Sequence, residues 1–175
     1  YDARLVRAKE FRPLVVTALE ALEDSAERER VEPRQFLRLA ENYNELAKDE
    51  EAFFKKSIVF AEKALALVPR RQGPLNLYAF TLAGLGRFEE GIEANRRAVE
   101  LDPRVYKSYY QLGLSLALAA YGPAYKGTPQ GEVFKRQAIE ALDRALDLAK
   151  ENDYGFLSRN DLENVSSPSE SRRSR

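Results

Sequence analysis

The stretch Ala64-Leu-Ala-Leu-Val-Pro69 returns as Ala98-Val-Glu-Leu-Asp-Pro103. A third copy, Ala145-Leu-Asp-Leu148, lacks the proline and comes later than the spacing of the first two requires. Upstream of each copy is a segment with a small residue at its centre. These are Phe36-x-x-Leu39-Ala40-x-x-Tyr43, Leu75-x-x-Tyr78-Ala79-x-x-Leu82 and Tyr109-x-x-Leu112-Gly113-x-x-Leu116. Apolar residues at steps of three and four form one face of a helix. The small central residue lets a paired helix approach closely. Two helices per period joined by a short turn, here Gly84-Leu-Gly86-Arg87, make a helix hairpin.

The repeat resembles the tetratricopeptide repeat, whose helix–turn–helix unit has a period of about 34 residues. The interval from Pro69 to Pro103 equals that period. The copy from Gln72 to Val105 fits without a gap. It has Gly86 in the turn, Phe88 opening the second helix, Gly91 and Ala98 at small positions and Pro103 near the end. Asn95 stands where the family usually has an aromatic. The first copy needs about five extra residues near Asp49–Lys56, and the third about 13 from Tyr121 to Phe134. The resemblance covers residues 33–150 and implies an all-α fold, a right-handed superhelical stack of antiparallel helix hairpins.

Helices are therefore expected near 34–48, 50–67, 74–85, 88–101, 105–121 and 132–150. Phe54, Ile58, Ala61, Leu65 and Val68 should form the apolar stripe of the second of these. Residues 1–32 read as an N-terminal capping hairpin, with Leu14, Val15, Ala18, Leu19 and Leu22 on its inward face and Pro13 starting or kinking a helix. Residues 33–152 hold three hairpins, the third with an insertion at 122–131. Residues 153–175 read as a short helix or coil at Ser158–Val165, then a tail with five serines in its last ten residues, expected to be disordered.

Composition narrows the chemistry. The 175 residues carry 28 basic and 28 acidic side chains, and this balance argues against a nucleic-acid binder. There is no Cys, His, Met or Trp. The missing Cys removes disulfides and thiolate chemistry, and the missing His removes the commonest acid–base group and metal ligand. No catalytic residue, cofactor site or metal site is expected. Glu89-Glu90 and Asp49-Glu50-Glu51 read as helix-start electrostatics, not as cation ligands. Gly84-x-Gly86-x4-Gly91 lacks the phosphate-loop spacing and follows a helix instead of a strand.

The longest uncharged stretch runs from Ser108 to Tyr125, between Lys107 and Lys126. It contains Gln111, four tyrosines and a Gly122-Pro123 break, so it reads as a buried helix and not a membrane span. Arg4, Arg7, Lys9, Glu10 and Arg12 interrupt any signal-peptide core. The chain starts at Tyr1 and lacks four residue types, which fits a piece of a longer chain or a designed or edited sequence. The compartment, cytoplasmic or periplasmic, stays open.

The expected function is non-catalytic binding of an extended peptide or partner helix on the concave face of the array. Once Leu75, Tyr78, Ala79 and Leu82 are committed to the core, Asn76, Phe80 and Ala83 form the adjacent stripe. Likewise Lys107, Tyr110 or Gln111, and Leu114 lie beside Tyr109, Leu112 and Gly113. The expected groove residues are thus Asn76, Phe80, Lys107, Tyr110, Gln111 and Leu114. Phe80 and Tyr110 have a second reading as core between repeats. Tyr125 and Lys126, at the tip of the insertion, are candidates for an accessory contact, set against a tolerated surface insertion. Family members that grip a C-terminal carboxylate use cationic and amide residues at places that here hold Leu37, Glu41, Leu77, Lys107 and Gln111. Only Lys107 matches, which argues against that ligand. Two alternatives stand beside the interaction module. One is an accessory soluble domain of a larger membrane-bound polysaccharide-assembly enzyme of the O-antigen ligase type, and the other is a designed scaffold without a natural partner.

Overall fold

The computed structural model describes residues 12–28, 32–47 and 51–151. The first half of the expected N-terminal hairpin, the Ser158–Val165 helix and the Ser/Arg-rich tail lie outside them. Among the described residues there are seven helices and no strand: α1 (Arg12–Arg28), α2 (Pro33–Leu46), α3 (Ala52–Leu67), α4 (Gln72–Gly84), α5 (Phe88–Leu101), α6 (Tyr106–Tyr121) and α7 (Pro129–Glu151). The fold is all-α, a run of helix hairpins, with α4 and α6 starting one repeat length apart.

Local chemistry sets the helix ends. Pro13, Pro33, Pro74 and Pro129 all fall in first turns, where no intrahelical partner exists for the missing N–H. α4 ends in a Schellman motif. Gly86 has φ 74°, its N–H donates to Ala83 O at 3.1 Å, and the Arg87 N–H donates to Leu82 O at 2.9 Å. α7 begins at Pro129, not at the expected 132, because Thr128 caps it. The Gly131 N–H donates to Thr128 Oγ1 at 3.0 Å, with Pro129 at the first helical position.

The chain divides into two compact units, Tyr1–Arg87 and Phe88–Arg175. In the first, α2 and α3 run antiparallel. Phe36 stacks on Phe60 at 6.2 Å between centroids, and Tyr43 on Phe53 and Phe60 at 5.9 Å each. α4 lies along α3, close enough that a Cβ on Gly84 would overlap the Phe54 ring. A buried polar cluster joins the three helices. Ser57 Oγ donates to Ala40 O at 2.9 Å, Asn44 Nδ2 donates to Thr81 Oγ1 at 2.9 Å, and the Ser57 and Thr81 hydroxyls are 3.2 Å apart. Because α3 packs on both neighbours, Ser57, Phe60, Ala61 and Ala64 run down its centre. The expected stripe lies to one side, with Ala61 buried and Phe54, Ile58, Leu65 and Val68 half-buried.

The inward face of α1 differs from expectation. Leu19 and Ala26 are buried, with Val15 and Val16 packed beside them, while Leu14 and Leu22 are 66% and 54% exposed. Ala18 is exposed too. The rotation of α1 is the one that brings Glu20 and Glu23 within 3.6 Å of Lys56 on α3. Arg12 donates to Leu46 O at 3.1 Å and lies over the Phe53 ring at 5.3 Å.

In the second unit α6 packs between α5 and α7, antiparallel to both. Phe88 meets Gly122 at one end of the α5–α6 contact, and Asn95 bonds to Gln111 and Ser115 in the middle. Gly113 meets Leu142 on α7. The uncharged stretch is thus spent on a helix flanked on two sides. No helix among the described residues is long and apolar enough to cross a membrane.

Candidate functional site

On α4, Leu75, Ala79 and Leu82 are fully buried, as the repeat pattern demands. Asn76 beside them is half-buried and Phe80 is 39% exposed. Ala83 is buried at 8% exposure, so the outward stripe of α4 stops at Phe80.

On α6 the outward stripe is longer than the expected groove. Lys107 is exposed and Tyr110, Gln111 and Leu114 are half-buried. The same steps of four and three continue to Leu118, 50% exposed, and Tyr121, 37% exposed. From Lys107 to Tyr121 the line spans about 21 Å at 1.5 Å per residue. The opposite side of the helix is closed by Ser108, Ser115, Leu116, Ala119 and Ala120, all buried. Leu118 and Tyr121 escape any reading that assigns the uncharged run wholesale to the interior. Extending the Lys107–Gln111–Leu114 spacing by two steps finds both.

Each end of the stripe has its own electrostatics. At the start of α6 there is no acidic side chain in the first turn, so the positive end of the helix dipole and Lys107 face the same solvent. The turn before it is held by Asp102, whose carboxylate accepts from Arg104 Nε at 3.0 Å and from the Arg104 backbone N–H at 3.1 Å. These bonds keep the Asp102 carboxyl below its ordinary range. At the other end the Lys135 ammonium lies 5.2 Å from the Tyr121 ring centre and pairs with Glu132 at 2.6 Å. That pairing raises the Lys135 pKa.

The insertion forms a tight turn. Tyr125 and Lys126 N–H groups both donate to Gly122 O, at 3.1 and 3.0 Å, and Gly127 takes φ 75°. The Tyr125 ring stands edge-on to Phe134 at 5.1 Å and its hydroxyl bonds to Glu89 on α5. Tyr125 is thus occupied in tying the turn to two helices, and Lys126 is exposed. Among the described residues no cluster of three or more acidic side chains is arranged to hold a metal ion.

No protein-family model matches the chain. No curated protein matches it either. Among solved structures, the chain is similar to one described as "MamA RS-1 ArsTM double mutant", at 20% identity and a TM-score of 0.45, over 87% of this chain and 97% of that one.

Proposed function

We propose that this chain is a non-catalytic interaction module that holds an extended peptide or a partner helix along the outward stripe of α6. The observation that carries this reading is the unbroken line Lys107–Gln111–Leu114–Leu118–Tyr121. Helix surfaces facing solvent normally carry charge, yet this one keeps apolar groups from Leu114 to Tyr121, about two turns, with an amide and one cation at the end nearest the helix N-terminus. Such a line offers apolar anchors at helical spacing, side-chain hydrogen bonds from Gln111 and Tyr110, and a favourable place for one carboxylate at Lys107. Asn76 and Phe80 offer a smaller patch of the same kind on α4. No observation favours the polysaccharide-assembly or designed-scaffold readings over this one.

The test is to pan a random dodecapeptide library on the intact chain and to measure the selected peptides against Leu114→Asp and Leu118→Asp. Leu118 is 50% exposed and Leu114 half-buried, so circular dichroism first confirms that each variant keeps the parent's helical fold. Affinity should fall at least tenfold, about 1.4 kcal/mol. Peptides that bind both variants as tightly as the parent would refute the assignment.

A further inference from the structure

Three helices of this chain carry isoleucine in one register. Gly91-Ile-Glu-Ala-Asn-Arg-Arg-Ala-Val-Glu-Leu101 on α5 aligns without a gap with Ala138-Ile-Glu-Ala-Leu-Asp-Arg-Ala-Leu-Asp-Leu148 on α7. Ile58 on α3 falls in the same frame. Their surroundings differ. Ile58 is half-buried, Ile92 is 2% exposed and Ile139 is 51% exposed. Ile92 is covered because it packs into a cluster with Leu116, Ala117, Ala119 and Ala120 of α6 and with Phe134 and Ala138 of α7. The same face of α7, bearing Ile139 and half-buried Leu146, has no helix over it among the described residues. The flanking outward positions, Arg136, Glu140, Asp143 and Asp147, are charged, as solvent-facing helix positions usually are.

The complementary surface is on α1. Leu14, Ala18, Ala21 and Leu22 all face solvent and form a stripe without a single charge. This is the composition α6 presents to Ile92, a large apolar residue among alanines that allow close approach. One end of the sequence therefore exposes the isoleucine face of a packed pair, and the other exposes a leucine–alanine face like the one that covers it.

We propose that the chain associates head to tail, with α1 of one copy covering the Ile139–Leu146 face of α7 in the next. The two patches differ, so a pair joined head to tail keeps one free patch at each end, and repeated pairing builds chains, or a ring where the rotation closes. A single helix-on-helix contact is smaller than a standard protein interface of about 1,600 Å². The association is accordingly weak and grows with concentration. It uses faces separate from the outward stripe of α6 and stands or falls independently of the function proposed above.

The test is sedimentation velocity of the full chain from about 10 μM to about 1 mM, the range in which a weak contact populates. The parent should show a mean mass that rises past the dimer with concentration. Ile139→Glu and Leu22→Glu should each stay monomeric while keeping the parent's helical circular dichroism. The decisive arm mixes the two variants. Ile139→Glu retains an intact α1 and Leu22→Glu an intact α7, so the mixture should form a dimer and stop there. A parent that stays monomeric at the top concentration overturns the proposal, because something else then covers the face or nothing does. So does a variant that still associates alone, which would point to a symmetric α1–α1 or α7–α7 contact. A mixture that remains monomeric overturns it as well.

Discussion

Asn95 Nδ2 donates to Ser115 Oγ at 2.8 Å across the α5–α6 contact, while Asn95 Oδ1, equally buried, has no hydrogen-bond partner among the described residues. The amide is thus half satisfied, and a buried polar atom left unpaired costs about 1–3 kcal/mol. Leu142 fills the equivalent register of α7 at 3% exposure, so a leucine suits this place in the helix. With a leucine at 95, the Ser115 hydroxyl turns back to the Gln111 carbonyl one turn earlier. Asn95→Leu should therefore unfold in urea at the parent's stability or up to about 1 kcal/mol above it. A loss of more than about 1 kcal/mol would mean the amide contributes net stability.

Gly113 is a packing position. A Cβ there would lie 2.6 Å from Leu142 Cγ and 3.3 Å from the Ala138 carbonyl oxygen. Gly113→Ala gains helix propensity of about 1 kcal/mol, yet overpacking should outweigh it and leave the variant about 1–3 kcal/mol less stable. Leu142→Ala on the same chain opens the space, so the double variant should lose less than the sum of the singles. Equal melting temperatures for Gly113→Ala and the parent would show that α6 and α7 are farther apart than described.

Gly131 faces backbone, not side chain. A Cβ on it would overlap the Tyr125 carbonyl oxygen. That carbonyl is fixed, since it accepts from Thr128 Oγ1 at 2.8 Å and the ring of the same residue is wedged against Phe134. Gly131→Ala should cost about 3 kcal/mol or more, the upper end of overpacking losses. Limited proteolysis should then cut within 122–128 faster than in the parent. Unchanged cleavage would show that the insertion tolerates rearrangement.

Tyr43 supplies a pH dependence. Its burial, its hydrogen bond to Glu23 and the charges of Glu23 and Glu20 all raise the phenol pKa from its ordinary 10.0. The folded chain keeps a proton that the unfolded chain releases. This contribution is complete below pH 10 and is lost as the pH rises further, at about 1.4 kcal/mol per pH unit. Tyr43→Phe lacks it, so the variant's stability should fall less steeply than the parent's above pH 10. Parallel alkaline slopes for the two would contradict the burial of this hydroxyl.

The repeat frame is legible in the sequence because its signals are local. Proline in first turns, Gly86 after a helix and the three-and-four spacing around Ala40, Ala79 and Gly113 each act within a few residues. The features that periodicity misplaces depend on contacts distant in sequence. α1 has apolar residues around most of its circumference, so spacing alone leaves its inward face ambiguous. In the fold Leu19 and Ala26, with Val15 and Val16 beside them, take the inward side, and Leu14 and Leu22 lie outward. Glycine disfavours helices, so Gly131 reads as part of a loop. The structure puts it in the first turn of α7, where the absent side chain leaves room for the Tyr125 carbonyl. Lys107, Gln111 and Leu114 follow from spacing, and the structure leaves Lys107 exposed and the other two half-buried, whereas Leu118 and Tyr121 are hidden in the sequence by their apolar neighbours. The partner's identity is not written in the stripe, which specifies only spacing and one charge.

The hydroxyls of Thr81 and Ser115 occupy equivalent positions in successive copies of the repeat, and each is bonded to the helix before its own, Thr81 to Ser57 and Ser115 to Asn95. Both bonds cross from one copy of the repeat into the next, so they belong to the seam and not to the module. A gene that duplicates or loses the α4–α5 copy rebuilds a seam of the same kind, with a polar side chain on the outgoing helix (Ser57 or Asn95) opposite a hydroxyl on the incoming one (Thr81 or Ser115). Such a lineage can change its number of copies without stranding a buried hydroxyl at the new junction.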